Sequence, residues 1–471
     1  MSTILDKIVA AKRESIALLY QQHDLEALRR QVQPTTRSFY QKLAMARAAQ
    51  EPFFIAEFKR KSPSEGWINQ HAEPVAQVRA YAQAGAKAVS ILTDEAFFGG
   101  SYDDLCRVAQ TIPEVERPLL LQKDFILDPI QIYLARQAGA DLILLIAAIL
   151  QPDEMLALRQ TAETLGMGVL AEVHDAEELE KILPLNFPVV GVNNRDLKTF
   201  RTALNRFNYL NNKYFPQQER PLLVAESGVG DCRDFQCVRR ADAFLIGTGL
   251  MRQEQVPTSF SSYFRTDTPF LFKACGIRSA DMLHPNEADF IGLNFSPRSK
   301  RRIDPAILEK QPLPENAVAV FYQNTEAEIL ETLARFSFKR IQLYAGDVSL
   351  DFIKKLRVRV FLAAALKQET DLQQLDQYAP HVDAFILDGA LPGSGQASAV
   401  EIPANFPYPF FLAGGMHSDN LERLLPFENC IGVDMASGIE DAEGRVRLEK
   451  IRQVAVKLKN LVPETLKTST L

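Results

Sequence analysis

Cysteine is scarce in this chain: five in 471 residues, at Cys106, Cys232, Cys237, Cys275 and Cys430, odd in number and scattered. Such spacing excludes a disulfide framework and a zinc cluster, and it points to a reducing, cytoplasmic setting. Long apolar runs are missing as well. The longest, Leu142 to Leu150, is about half of the roughly 20 residues that a membrane helix needs. The opening segment MSTILDKIVAAKRES carries charges throughout and does not read as a signal peptide. Nor is there an excess of positive charge: 53 Lys and Arg stand against 59 Asp and Glu, a net of −6. That balance argues against nucleic acid or a membrane as partner, while leaving room for local basic pockets that take anionic metabolites. What remains is ordinary globular material, 46% hydrophobic and 24% charged. It is enough for two sizeable cores, and the length suits two domains.

The pattern of that material is a rhythm. Residues 4–22 place Ile4, Leu5, Ile8, Val9, Ile16 and Leu19 on one helical stripe. Short apolar runs then recur at 53–58, 88–93, 118–122, 142–147, 168–173, 189–193, 222–226 and 243–247. Between them lie helical segments, two of which stop at Ala-Gly-Ala before the next run. Near-continuous apolar strands alternating with helices predict a parallel sheet covered on both sides. Eight repeats predict a closed (β/α)8 barrel. A polar stretch, residues 252–269, breaks the rhythm. It restarts at 271–275, 290–295, 317–322, 340–344, 359–365, 384–388, 410–414 and 431–435, and the tail beyond about Val462 is polar. The chain thus reads as α/β, two tandem TIM barrels, the first with an N-terminal extra helix. The domains are expected at 1–258 and 269–471, joined by a linker at 259–268.

Barrel sites form at the C-terminal ends of strands. In the first repeat those ends carry Glu57 and Lys59, Lys123, Glu172, Asn193 and Arg195, and Glu226 with Ser227. Glu57 and Lys59 are two residues apart and so share a face of their strand. Carboxylates and lysines gathered in one pocket push each other's pKa values apart, which supplies an acid and a base together. Any one such charge is commonplace at a strand end; five polar strand ends converging are not. Ser227, Gly228, Val229 and Gly230, and then Gly247, Thr248 and Gly249, follow strands seven and eight, where barrels bind phosphate through backbone N–H groups. Ser62 offers a hydroxyl, and Phe98 with Phe125 an apolar wall for an aromatic ring, although either phenylalanine taken alone reads as core. His174 taken alone reads as structural or exposed.

Together EFKRKSPSEG, LQKDF, AEVH, GVNNRDL, AESG and GTGLM, over about residues 1–258, resemble indole-3-glycerol-phosphate synthase. The resemblance implies decarboxylating ring closure of carboxyphenylamino-deoxyribulose 5-phosphate. It implies Lys123 as general acid and Glu172 as proton-transfer partner, with Glu57, Lys59 and Asn193 in support. Arg195 and Lys59 would meet the substrate carboxylate.

In the second repeat, strand one ends at Cys275, strand two leads into a basic loop with Arg298, Lys300, Arg301 and Arg302, and strand six ends at Asp388. A cysteine facing an aspartate across a barrel mouth is a plausible base and acid pair, provided nearby positive charge favours the thiolate. Gly414 with Gly415, Ser437 with Gly438, and Gly393, Ser394 and Gly395 are glycine loops suited to phosphate. The motifs KACG, SPRSKR, LDG…GSGQ, LAGG and VDMASGIE, over about residues 269–460, resemble phosphoribosylanthranilate isomerase. The implied reaction is an Amadori rearrangement in which Asp388 protonates the furanose oxygen, Cys275 takes the C2 proton and Arg301 holds the anthranilate carboxylate. This chain departs from the family at Tyr344, where QLHG is usual, and at Ala436, where Ser or Asn is common. A tyrosine does not titrate near neutrality.

The whole reads as a bifunctional enzyme of tryptophan biosynthesis, acting on small phosphosugars, with no metal or organic cofactor required and a monomer expected. A phosphosugar isomerase of another pathway would lean on paired aspartates, against which the Glu-x-Lys and the cysteine argue. A fusion with one merely structural barrel would not retain both charged sets.

Overall fold

The computed structural model describes residues 3–196, 199–216, 220–265, 270–279, 282–283, 286–388 and 401–461. Eight parallel strands form the first barrel: β1 (Phe53–Phe58), β2 (Ala88–Leu92), β3 (Leu119–Lys123), β4 (Leu142–Ile146), β5 (Gly168–Val173), β6 (Val189–Asn193), β7 (Leu222–Glu226) and β8 (Ala243–Ile246). Each pairs with the next, and β8 closes on β1 with Phe53 opposite Ala243. Eight more form the second barrel in the same manner: β9 (Leu271–Cys275), β10 (Phe290–Asn294), β11 (Ala317–Val320), β12 (Arg340–Tyr344), β13 (Arg359–Ala365), β14 (Ala384–Asp388), β15 (Phe410–Leu412) and β16 (Cys430–Met435). The predicted strands are therefore all present, with ends shifted by a residue or two.

The strands are apolar throughout because both faces are covered. Every residue of β1, β4 and β5 is buried, so no alternation survives in the sequence. Both Ala-Gly-Ala stops are built alike. Gly85 and Gly139 adopt φ of +101°. The following alanines, Ala86 and Ala140, return N–H groups to Tyr81 O at 2.9 Å and Ala135 O at 3.0 Å. Only glycine takes that backbone turn cheaply, and it sends the chain straight into β2 and β4.

Helix α1 (Ile4–Gln22) starts at a capping box formed by Thr3 and Asp6 and buries Ile8 and Ile16. Its Lys12 reaches Asp94 at 3.1 Å and Asp124 at 2.6 Å. Asp94 caps the short helix Glu95–Phe98, and Asp124 follows the last residue of β3 and accepts from the Thr93 hydroxyl at 2.6 Å. The extra helix is thereby tied to two loops at the mouth of its barrel.

Phe260–Tyr263 form one helical turn inside the segment expected as linker. Phe260 and Phe264 are buried, and Phe264 stacks on Phe54 of β1 at 5.4 Å. Averaged polarity hides these two anchors among serines. By packing, the chain divides into two compact units: Met1–Thr202, Phe215–Cys232 and Arg240–Phe264 in one, and Ala203–Tyr214, Arg233–Arg239 and Arg265–Leu471 in the other.

Candidate active sites

Lys123 is the hub of the first barrel mouth. It ends β3, and its Nζ donates to Glu172 Oε2 and to Glu226 Oε2, each at 2.8 Å, from the ends of β5 and β7. Asn193, ending β6, donates to Glu172 Oε1 at 3.2 Å. Glu57, ending β1, pairs with Lys59. Lys123, Glu172, Glu226 and Asn193 are thus one hydrogen-bonded network, and the Glu57–Lys59 pair acts on it through charge. Burial opposes charge on Lys123, but Glu172, Glu226 and Glu57 outweigh it and raise its pKa, so the ammonium persists. Burial likewise works against ionised Glu57, yet Lys59 and Lys123 hold its carboxyl below the usual range. Glu172 and Glu226 share one lysine and diverge. Glu172 is held well below the ordinary range despite burial, by Lys123 and then by His174. Glu226 is driven up by burial and by the Glu172 charge. Among the described residues, Glu226 Oε1 has no hydrogen-bond partner. Its seat depends on Gly191 of β6, where a Cβ would lie 2.0 Å from Oε1.

His174 is buried at this network. Its Nδ1 lies 3.0 Å from Glu178 Oε2, and its Nε2 lies 3.2 Å from Glu172 Oε1, a charge contact without a formed hydrogen bond. Burial lowers its basicity, but the two glutamates prevail and lift its pKa to about 9. Of the two expectations, structural or exposed, the exposed one fails: His174 is buried behind Glu172 and held by Glu178. The signal was the two-residue spacing of Glu172 and His174 across the end of β5.

Arg195 stands at the rim, 3.3 Å from Ser64 Oγ and 3.8 Å from Glu65. Ser62 is buried and 3.5 Å from Ser64 Oγ. Ser227 and Gly228 both take positive φ, 62° and 85°. A Cβ on Gly249 would meet Gly230 Cα at 2.7 Å, so the loops after β7 and β8 touch. Gly247 caps the helical turn Thr248–Met251, and a Cβ there would lie 2.1 Å from Glu57 Oε1. The glycine loops therefore adjoin the charged network. Phe98 and Phe125 lie 6.0 Å apart, and both pack on the barrel core.

In the second barrel, one cleft is lined by Cys275, Arg301, Asp388, Gly414, Gly415 and Ser437, together with Asn294, Gln342, Tyr344 and Asp434. Cys275 and Asp388 therefore face a common space. Burial and Asp434 push the Cys275 thiol up, to about 12, against the pull of Lys273. Arg301 holds Glu440 through Nε at 2.6 Å and Nη2 at 2.8 Å. Its fork thus already has a carboxylate, a partner the sequence did not reveal. Tyr344 is packed on Tyr322 at 4.7 Å and receives a bond from Gln342 at 3.2 Å. Burial and Asp388 raise its pKa well above the ordinary value, so it stays a neutral phenol. Gly414 and Gly415 take φ of 77° and 65°, and a Cβ on Gly438 would meet Met416 O at 2.1 Å. The two glycine loops are in contact. Gly393, Ser394 and Gly395 lie outside the described residues. Lys273 and Asp434 were not among the expected site residues, although Lys273 sits two places before Cys275 on the same strand face.

Two family models match the chain. Indole-3-glycerol phosphate synthase covers residues 5–262, and N-(5'phosphoribosyl)anthranilate (PRA) isomerase covers residues 273–457. The Tryptophan biosynthesis protein TrpCF of Salmonella typhi is 34% identical over 94% of this chain and 96% of its own length. The chain belongs to the TrpCF family. The TrpCF of Haemophilus influenzae is 32% identical over 96% of both chains. A solved phosphoribosyl anthranilate isomerase from Thermus thermophilus, 28% identical, covers 41% of this chain and 99% of its own, with a TM-score of 0.35. As a TrpCF protein the chain is a bifunctional enzyme of tryptophan biosynthesis, with an indole-3-glycerol-phosphate synthase barrel followed by a phosphoribosylanthranilate isomerase barrel.

Proposed function

We propose that Lys123 is the general acid of ring closure and Glu172 its proton-transfer partner. The observation that carries this reading is the single ammonium bonded to two carboxyls of opposite tendency. Closure needs a proton delivered to the ketone oxygen as the carboxyl-bearing ring carbon bonds to the ketone carbon; carbon dioxide then leaves and the ring becomes aromatic again, after which the new hydroxyl takes a second proton and departs as water while the methylene beside the nitrogen gives up a proton to form the double bond. Lys123 supplies the first proton, and ionised Glu172 is the nearest acceptor. Glu226, driven towards its neutral form by burial and by the Glu172 charge, compensates the ammonium less than Glu172 does, which favours an approaching anion. Lys59, Arg195 and the substrate carboxylate form the complementary contact, with Glu57 and Asn193 in support. Ser62, Ser227, Gly228, Gly247 and Thr248 receive the phosphate, and Phe98 and Phe125 border the aromatic ring.

In the second barrel Asp388 protonates the furanose oxygen and opens the ring to an iminium at C1. Cys275 removes the C2 proton, and the resulting enolamine tautomerises to the aminoketose that the first barrel consumes. Arg301 exchanges part of its Glu440 contact for the anthranilate carboxylate, a task suited to a planar fork. Gly414, Gly415, Ser437 and Gly438, with Gly393, Ser394 and Gly395, take the phosphate. A cytoplasmic monomer completes the proposal. The five free cysteines support the cytoplasmic part of it. Separate assays of the two half-reactions on Cys275→Ala and Asp388→Asn are expected to find isomerase turnover abolished and synthase turnover retained; near-normal isomerase turnover in either variant removes that residue from the mechanism. Light scattering at the mass of one chain checks the oligomeric state.

A further inference from the structure

Strand β9 carries, beside Cys275, a group that the isomerase reading leaves unused. Lys273 lies two residues earlier, on the same strand face, and its side chain is 0% exposed. Its Nζ is 2.7 Å from Cys275 Sγ and 2.9 Å from Asp434 Oδ1. The strand register creates this meeting: Lys273 lies opposite Asp434 of β16, and Cys275 opposite Gly292 of β10. A Cβ on Gly292 would lie 2.2 Å from Sγ. The sulfur thus has a seat made by an absent side chain on one flank and an ammonium on the other. A buried ammonium demands anionic partners, and here two acids of different strength, the Cys275 thiol and Asp434, share its N–H groups.

We propose that Lys273 is a positioning residue of the isomerase, fixing Cys275 Sγ at the cleft and stabilising the thiolate that accepts the C2 proton, with Asp434 as its competitor. The inference rests on the reading of Cys275 as the base. The proton balance is simple: the thiol first loses its proton to solvent, the thiolate takes one from C2, and the thiol so formed passes that proton back to the product or to solvent, which restores the thiolate. Lys273 keeps its three protons throughout and only donates hydrogen bonds. The charged and titratable groups around the sulfur are Lys273 on β9, Asp434 on β16, Tyr344 on β12 and Arg301 on the loop after β10. Asp434 raises the thiol and Lys273 lowers it, so removing each should move the sulfur in opposite directions. A group with a merely structural role would not give that opposition.

The test is the rate of iodoacetamide alkylation at Cys275 in the full chain as a function of pH. Peptide mass spectrometry separates Cys275 from the other cysteines, and the pH profile of isomerase kcat/KM is measured in parallel. In Lys273→Met the acid limb is expected to rise by at least about one pH unit, roughly tenfold less thiolate at a given pH below it. In Asp434→Asn, which leaves the lysine in place, the alkylation limb is expected to fall. An unmoved or lowered limb in Lys273→Met overturns the proposal. If that variant does not fold, an unmoved or raised limb in Asp434→Asn does so alone. Cys275→Ala distinguishes the two levels of the argument. An active Cys275→Ala enzyme removes the base reading itself, whereas an inactive one beside an unmoved Lys273→Met profile removes only the role of Lys273.

Discussion

Lys123 is worth more to its barrel than any single charge at the mouth, because three strand ends are joined through it. Lys123→Met is expected to lower synthase turnover by at least about a hundredfold, the usual weight of a positioned acid, and to leave the isomerase unchanged. Half-reaction assays check both. His174 offers a second residue-scale prediction. Its pKa is raised from 6.5 to about 9 by Glu172 and Glu178. The stabilisation from its charged form is therefore fully present below about 6.5, declines as pH rises and is gone above about 9, worth at most about 3 kcal/mol. The heat resistance of synthase activity in the native enzyme and in His174→Gln should differ most at pH 6 and converge at pH 9.5; a constant gap would remove the charge from the explanation. The ionisable residues themselves were legible, since each ends an apolar strand. Their pairing was not. That Lys123 bonds Glu172 and Glu226 rather than Glu57 depends on side-chain reach across a closed barrel. The burial of His174 and Lys273 depends on what covers them.

At the scale of strands, the side chains proposed to act at the two mouths are seated by glycines on neighbouring strands. Gly191→Ala would put a methyl group 2.0 Å from Glu226 Oε1, and Gly292→Ala one 2.2 Å from Cys275 Sγ. The first is expected to cut synthase turnover at least about tenfold and the second to do the same to the isomerase, each sparing the other reaction; displaced catalytic groups carry losses of this order. Equal effects on both activities would point to general misfolding instead. All sixteen barrel strands could be read from apolar runs because burial on both faces makes β/α sequences loud. The same loudness masks the glycines, which look like weak points in a run until the facing side chain is known. Phe260 and Phe264 were obscured for a related reason: two anchors do not alter the average of a serine-rich window.

The whole molecule couples two chemistries in one chain, with the product of the second barrel feeding the first. If the intermediate is free to diffuse, a mixture of Lys123→Met and Cys275→Ala chains should convert phosphoribosylanthranilate to indole-3-glycerol phosphate at a rate that climbs with protein concentration, although neither variant does so alone. Failure of the mixture, with both half-reactions intact, would mean that the intermediate does not leave the chain that made it.

The seam between β1 and β8 has a consequence for synthesis. Phe53 pairs with Ala243, 190 residues later, so loop closure over most of the first repeat precedes its last stabilising contacts. A nascent chain can hold strands one to seven only as an open sheet with an unpaired edge. Barrel closure waits for β8, and the Phe264 stack on Phe54 waits a little longer. By then the ribosome is only beginning the second repeat. The first barrel's sheet can close before the strands of the second repeat are made, and until β8 emerges the growing chain carries an unpaired edge that is open to aggregation.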